Sequence, residues 1–177
     1  TKDALIMGLE VLALSDHQSL RLGFNSLGAM ASVNHLHWHC YYFDYKLTLN
    51  DLPIINNLIL DWPIPTIAFE IDDCHRTTIN EISQKIMTIV DFCLTNGQIS
   101  YNIFLSRTAS QKIRIYLWLV EPRWGQKNDL NINAAFCEFT GYFICKTKEM
   151  FETLDEIQCI KVLKSVHSHH DKVLHLL

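Results

Sequence analysis

Residues 23–42 read GFNSLGAMASVNHLHWHCYY and decide how the rest of the chain is interpreted. Three histidines occupy alternate positions in this stretch: His35, His37 and His39. Because alternate residues of a β-strand point to the same side, a strand over 33–43 would present three imidazoles together. The intervening side chains would then face a core: Leu36, Trp38 and Cys40.

Neighbouring imidazoles behind a turn rich in Gly, Ser and Asn predict chemistry at phosphorus. A neutral imidazole, here His37, can attack a phosphoryl group and divide one substitution into two steps. We expect backbone amides of the turn to bind phosphate oxygens, with side-chain donors beside them. The phosphate-binding candidates are Asn25, Ser26, Gly28 and Ser32.

Other interpretations of these histidines stay open. They could ligate zinc, but successive residues on one strand face converge poorly on one ion, so we predict no metal site. They could also be structural, and the turn could be an ordinary hairpin connection. Histidines near polar turns or the carboxyl terminus are predicted to lie on the surface: His17, His75, His167, His169 and His170.

The composition is that of a folded chain without a strongly charged surface. Its 177 residues are 49% hydrophobic, which suits one domain with a sizeable core. A net charge of -4 argues against nucleic acid as a partner. Six scattered cysteines favour reduced thiols in a cytoplasmic protein, and no apolar run predicts a membrane span. Because the chain opens in a helical pattern without Met, we expect the C-terminal part of a longer chain.

Hydrophobic periodicity predicts an α+β fold, with helices packed on an antiparallel sheet. The predicted strands cover 21–25, 33–43, 66–71, 101–105, 113–120 and 134–146. The predicted helices cover 3–14, 79–95 and a segment after residue 153. Capping boxes open the last two helices, formed by Thr78 with Glu81 and by Thr153 with Glu156.

The run His35-Leu36-His37-Trp38-His39 resembles the histidine-triad superfamily, whose motif is His-x-His-x-His. More narrowly, residues 23–28, 34–37 and 41–42 are similar to its GDP-hexose phosphorylase branch, a relative of the galactose-1-phosphate uridylyltransferases. Residues 133–141 also resemble this branch. The third histidine favours its animal type, since the plant and uridylyltransferase forms usually carry Gln there.

The resemblance implies one histidine-triad-like domain over residues 1–177, within a larger fold whose N-terminal part is absent. It implies a nucleotidyltransferase in which His37 is guanylylated, while His35 and His39 orient it and contact phosphate. The implied substrates are GDP-D-glucose and inorganic phosphate, without a cofactor or a membrane partner, and an oligomer is compatible with this. The alternatives are a nucleotide hydrolase, in which water replaces phosphate, and a non-catalytic nucleotide-binding module. Gln four positions before the first histidine would favour the hydrolase, and Ala31 at that position disfavours it.

Overall fold

The computed structural model describes residues 1–72, 74–96, 99–124, 132–167 and 170–177. Within these ranges the strands are β1 (Leu20–Asn25), β2 (His39–Tyr42), β3 (Leu58–Ile59), β4 (Thr66–Ile71), β5 (Ser100–Arg107) and β6 (Ile113–Val120). They form one sheet in the order β2-β1-β5-β6-β4-β3, and each neighbouring pair is antiparallel.

The helices are α1 (Lys2–Leu14), α2 (Arg76–Asn96), α3 (Phe136–Phe139), α4 (Lys148–Thr153) and α5 (Glu156–Val166). Short 3₁₀ turns cover Thr48–Asn50 and His170–Leu176. None of the helices in the described ranges is long and apolar enough to cross a membrane. The antiparallel sheet and these helices together confirm the predicted α+β class.

The sheet separates two cores of different chemistry. On one face, aliphatic strand residues such as Leu22, Leu105 and Ile115 pack under α1 and α2. On the other face, Phe104 and Trp118 pack against segment 132–139 and α5. Because alternate strand residues face opposite sides, neighbouring residues of one strand belong to different cores, as Phe104 and Leu105 of β5 do.

The strands predicted from alternating hydrophobicity form where the pattern is regular. Strands β4 and β6 have the predicted bounds, and β1 and β5 extend the predicted segments by one to three residues at their ends. Helix α2 buries Ile86, Ile89 and Cys93, as its helical periodicity predicts. Here sequence period and burial agree, so local preference and tertiary packing favour the same structure.

The strand predicted over 33–43 is shorter than expected, since β2 begins only at His39. The pairing of Gly23 with His39 is the last rung of the β1–β2 ladder. The next residue, Trp38, packs its indole against α1 and donates from Nε1 to the carbonyl of Ala4 at 3.0 Å. This contact draws the chain out of the sheet. Leu36 and Cys40, expected in the core, are exposed.

The strand predicted over 134–146 is wrong, because the segment folds as the short helix α3 followed by a loop. Phe136 and Phe139 lie three residues apart and are both buried, which a single helical turn permits. The carboxylate of Glu138 accepts from the amide of Ala135 at 3.0 Å and stabilises the start of this turn. Gly141, with φ of +89°, follows its end.

Both predicted capping boxes are misplaced, although both helices exist. Helix α2 starts at Arg76, so Thr78 lies inside it. Helix α5 is capped by Asp155, whose Oδ1 accepts from the amide of Gln158 at 2.7 Å. The Gln158 side chain accepts in return from the amide of Asp155 at 3.0 Å. Thr153 instead ends α4.

We expect Glu70→Gln to destabilise the fold at neutral pH by roughly 1–2 kcal/mol. Glu70 on β4 accepts from Nε of Arg114, its partner on β6, at 2.7 Å, and from Nζ of Lys112, which precedes β6, at 2.9 Å. Burial alone would raise the pKa of Glu70, but these hydrogen bonds outweigh it and lower the pKa.

A carboxyl group with a lowered folded pKa stabilises the fold above its unfolded pKa of about 4.3. That contribution is lost as the pH falls through the folded pKa. Urea unfolding should therefore show a difference between Glu70→Gln and the parent chain at pH 7 that shrinks in acid. A difference that is constant with pH would contradict the ion-pair explanation.

Candidate active site

The rings of the three histidines lie side by side, although only His39 belongs to a strand. The ring centroids of His35 and His37 are 5.2 Å apart, and those of His37 and His39 are 4.8 Å apart. His35 is exposed, while the other two are half-buried. The structure thus brings together the three predicted catalytic side chains.

The hydrogen bonds of His37 fix which of its nitrogens is available. Its Nδ1 lies 3.0 Å from the backbone carbonyl of His35. A carbonyl only accepts, so Nδ1 donates, and in the neutral ring Nε2 carries the lone pair. This Nε2 lies 3.1 Å from Nε2 of His39, which can donate to it. The nitrogen with the lone pair that the sequence interpretation needs is therefore Nε2 of His37, and it is available when His39 turns its proton to another acceptor.

His39 is suited to act as a neutral donor beside this lone pair. Burial is the larger cause that lowers the pKa of His39, and the neighbouring His37 is the smaller one. A lowered pKa keeps the imidazole uncharged at neutral pH, with one nitrogen protonated. A donor at this place stabilises negative charge that develops on an oxygen bound near Nε2 of His37.

The ring of Phe136 packs against the ring of His39. The two ring centroids are 5.2 Å apart, and Phe136 also lies parallel to Phe104 at 6.2 Å. The ring covers Gly23, the strand partner of His39, so closely that a Cβ at Gly23 would lie 2.3 Å from a Phe136 carbon. The glycine in β1 therefore makes room for the aromatic ring that packs against His39, one of the predicted catalytic histidines.

The turn after β1 is fixed by its own side chains. Asn25 Oδ1 accepts from Asn102 Nδ2 at 2.6 Å and from the amide of Phe136 at 3.3 Å. Ser26 Oγ accepts from the amide of Tyr101 at 2.8 Å. Asn25 and Ser26 are both buried. The oxygens of these two predicted phosphate-binding side chains thus join the turn to β5 and α3.

The other two phosphate-binding candidates differ from each other. Gly28 adopts a φ of +81°, as expected for a glycine in a tight turn, and its carbonyl accepts from the amide of Arg123 at 2.7 Å. A Cβ there would lie 2.4 Å from Ser100 Oγ. Ser32 is exposed on the loop that leads to His35, so its hydroxyl is accessible to a ligand.

We expect Gly28→Ala to lower the free energy of unfolding by about 1–2 kcal/mol, because an L-residue is strained at this φ. If the turn also binds phosphate, the affinity for GDP falls at temperatures where the variant is fully folded. Urea unfolding and calorimetric titration with GDP separate the two effects. Unchanged affinity for GDP would support the plain hairpin turn.

Elsewhere the remaining histidines vary in exposure. His17 and His75 are exposed as predicted, whereas His167 and His170 are half-buried, with ring centroids 5.3 Å apart. His169 lies outside the described residues. Within the described ranges, no three His, Cys, Asp or Glu side chains are placed to hold a metal ion.

Two sequence profiles match this chain. One, described as the N-terminal domain of GDPGP1-like proteins, matches residues 1–41 and contains the three histidines. The other, described as the C-terminal domain of the same proteins, matches residues 50–173. The chain belongs to the GDPGP1-like family.

Curated members of the GDPGP1-like family support the same relationship. The chain is 32% identical to GDP-D-glucose phosphorylase 1 of Xenopus laevis, over 92% of its own length and 44% of that protein. It is 30% identical to the Homo sapiens protein of the same name, over 91% and 46%. It is 26% identical to GDP-L-galactose phosphorylase 2 of Arabidopsis thaliana, over 92% and 40%. The chain spans less than half the length of these relatives, and no solved structure is significantly similar to it.

The structure of this GDPGP1-like chain also adds site residues that the sequence interpretation missed. Phe136 was part of the segment interpreted as a strand, and Glu138 supports its turn from a buried position. The spacing of Phe136 and Phe139 was the available signal, because it fits a helical turn. The hydrogen bond from Asn102 to Asn25 has no such signal, since it depends on strand pairing between distant segments.

Proposed function

We propose that this chain carries the guanylyl-transfer site of a GDP-hexose phosphorylase. The reaction converts GDP-D-glucose and inorganic phosphate to GDP and D-glucose 1-phosphate. The observation that carries the proposal is the 3.0 Å contact between Nδ1 of His37 and the carbonyl of His35, which leaves Nε2 as a nucleophile. The names of the curated relatives supply the substrate class.

In the first step, Nε2 of His37 attacks the α-phosphorus of GDP-D-glucose. A nitrogen–phosphorus bond forms, and the bond from this phosphorus to the bridging oxygen breaks, so glucose 1-phosphate leaves with the bond's electrons. The proton on Nδ1 stays hydrogen-bonded to the carbonyl of His35 and stabilises the charged ring. In the second step, a phosphate oxygen attacks the same phosphorus, releases His37 and yields GDP.

Local donors must hold the phosphates, because a net charge of -4 provides no long-range attraction. We assign direct contacts to His35, His39 and the exposed hydroxyl of Ser32. Asn25, Ser26 and Gly28 shape the turn whose backbone amides complete the site. The buried positions of Asn25 and Ser26 support this division of roles.

An isotope experiment on the purified 177-residue chain tests the reaction. With GDP-D-glucose and labelled inorganic phosphate, the proposal expects label in the β-phosphate of GDP and unlabelled glucose 1-phosphate. A hydrolase would release GMP instead, and a non-catalytic nucleotide-binding module would release nothing. Either result overturns the proposal. Exchange of labelled glucose 1-phosphate into GDP-D-glucose without phosphate would support the covalent intermediate.

We also propose that residues 1–177 act as one histidine-triad-like domain in the cytoplasm. Strands from both matched segments pair in one sheet, since β1 from the first pairs with β5 from the second. All six cysteines are free thiols, although only Cys93 is buried. Free thiols are typical of a reducing compartment. Limited proteolysis and localisation of a tagged chain test the two proposals separately.

A further inference from the structure

A separate open cavity of about 390 Å³ lies at the end of the β1–β2 pair away from His39. Its volume lies within the range of small-molecule sites. Its charged lining residues are Arg21, Lys46 and Arg107 with Asp44 and Asp51. Three cations and two carboxylates leave one net positive charge around the cavity.

Arg21 is buried and forms no ion pair among the described residues, although Asp44 lines the same cavity. Arg21 is only 6% exposed, and its Nη1 donates to the carbonyls of Gln18 and Leu20. Its Nε is buried and donates to no acceptor among the described residues. No ion pair within the described ranges includes it. A buried charge of this kind is expensive unless a counter-ion compensates it.

Two further cations line the same cavity. Arg107 donates to the carbonyls of Leu12 and Ser15, and no carboxylate of the described residues pairs with it. Lys46 pairs with Asp51 at 2.9 Å, and its side chain is 77% exposed. The lysine can thus turn toward a ligand, while the two arginines are held in place by backbone carbonyls.

The floor of the cavity is rigid. Asn50 Oδ1 accepts from Tyr116 at 2.6 Å and from Ser106 at 2.7 Å. Its Nδ2 donates to the carbonyl of Arg107 at 3.1 Å. Because Asn50 is held by these bonds, this part of the cavity lining is organised before any ligand binds.

We propose that this cavity binds a phosphate group through Arg21, Arg107 and Lys46. The guanidinium group suits phosphate because its donors form a planar fork that matches two phosphate oxygens. The group is either free inorganic phosphate or the monoester of a sugar phosphate. This site goes beyond the proposed transfer at His37, because none of the three histidines lines the cavity.

The test measures binding of inorganic phosphate and of glucose 1-phosphate by calorimetric titration of the 177-residue chain. We expect Arg21→Met and Lys46→Glu to weaken binding by about tenfold or more, because each removes a charge that faces the ligand. Arg21→Met exchanges a buried cation for an apolar side chain of similar length, a change that folds commonly tolerate. Lys46→Glu alters an exposed side chain and keeps the test valid should Arg21→Met fail to fold.

Lys148→Glu is the matched control, since this exposed lysine also pairs with one acidic residue, Glu152, at 3.6 Å. It should bind as the parent chain does. Equal affinity in the parent and Lys46→Glu chains would overturn the proposal. Binding that disappears when all solutions are brought to the same ionic strength with sodium chloride would also overturn the proposal. Tighter binding of glucose 1-phosphate assigns the monoester, and tighter binding of phosphate assigns the free anion.

Discussion

Replacing His37 with Ala is expected to abolish turnover and the covalent intermediate together. The lone pair on Nε2 has no substitute, because the neighbouring Nε2 of His39 carries the donated proton. His35→Ala and His39→Ala should retain residual activity, with losses of roughly 10² to 10⁴. Both residues orient the nucleophile or stabilise charge, and neither forms the bond.

Mass spectrometry of protein quenched with GDP-D-glucose checks this prediction. The parent chain should carry a GMP adduct on His37, and the His37→Ala chain should carry none. His175→Ala serves as the control, since this exposed histidine contacts Phe92 on α2, across the sheet from the site. A GMP adduct on another residue, or full turnover by His37→Ala, would refute the assignment.

Gly23→Ala is expected to have the second largest effect, although it adds a single methyl group. The new Cβ would lie 2.3 to 2.5 Å from three carbons of Phe136, so the ring must move. Overpacking of this kind typically costs about 1–3 kcal/mol of stability. Because Phe136 supports His39, the displacement should also reduce turnover in the fraction that remains folded.

A double-mutant cycle tests the contact directly. Phe136→Ala alone opens a cavity and destabilises the fold, but it also makes room for the methyl group at position 23. The double variant should therefore be more stable than the sum of the two single changes predicts. Urea unfolding measures all four proteins. Additive effects would mean that Gly23 and Phe136 do not constrain each other.

The regular parts of the fold were predictable because local and tertiary preferences coincide there. Ile113, Ile115 and Leu117 alternate along β6 and fill one core, so the pattern in the sequence is the pattern of burial. The histidines were also predicted to meet. The predicted cause, a strand over 33–43 that holds all three, is wrong, since only His39 of the three lies in β2.

The remaining features depend on contacts between distant segments. Trp38 leaves the sheet because an acceptor on α1 is within reach, and nothing near Trp38 in sequence shows this. Segment 134–146 is apolar enough for a strand. The hydrogen bond from the amide of Ala135 to Glu138 stabilises the helical turn α3 there instead. Arg21 was interpreted as an ordinary strand residue, and its burial is visible only once Tyr41 is placed beside it.

The partner that orients His37 is a main-chain carbonyl, and this limits how its reactivity can change. Every amino acid at position 35 supplies the same oxygen, so substitutions there leave the orienting bond available. Changes at Trp38, whose indole holds this segment against α1, are expected to disturb the bond without altering either histidine ring. Besides the three histidines themselves, the packing residues that set the backbone course of 35–39 should therefore be a second group of positions at which random variation abolishes activity.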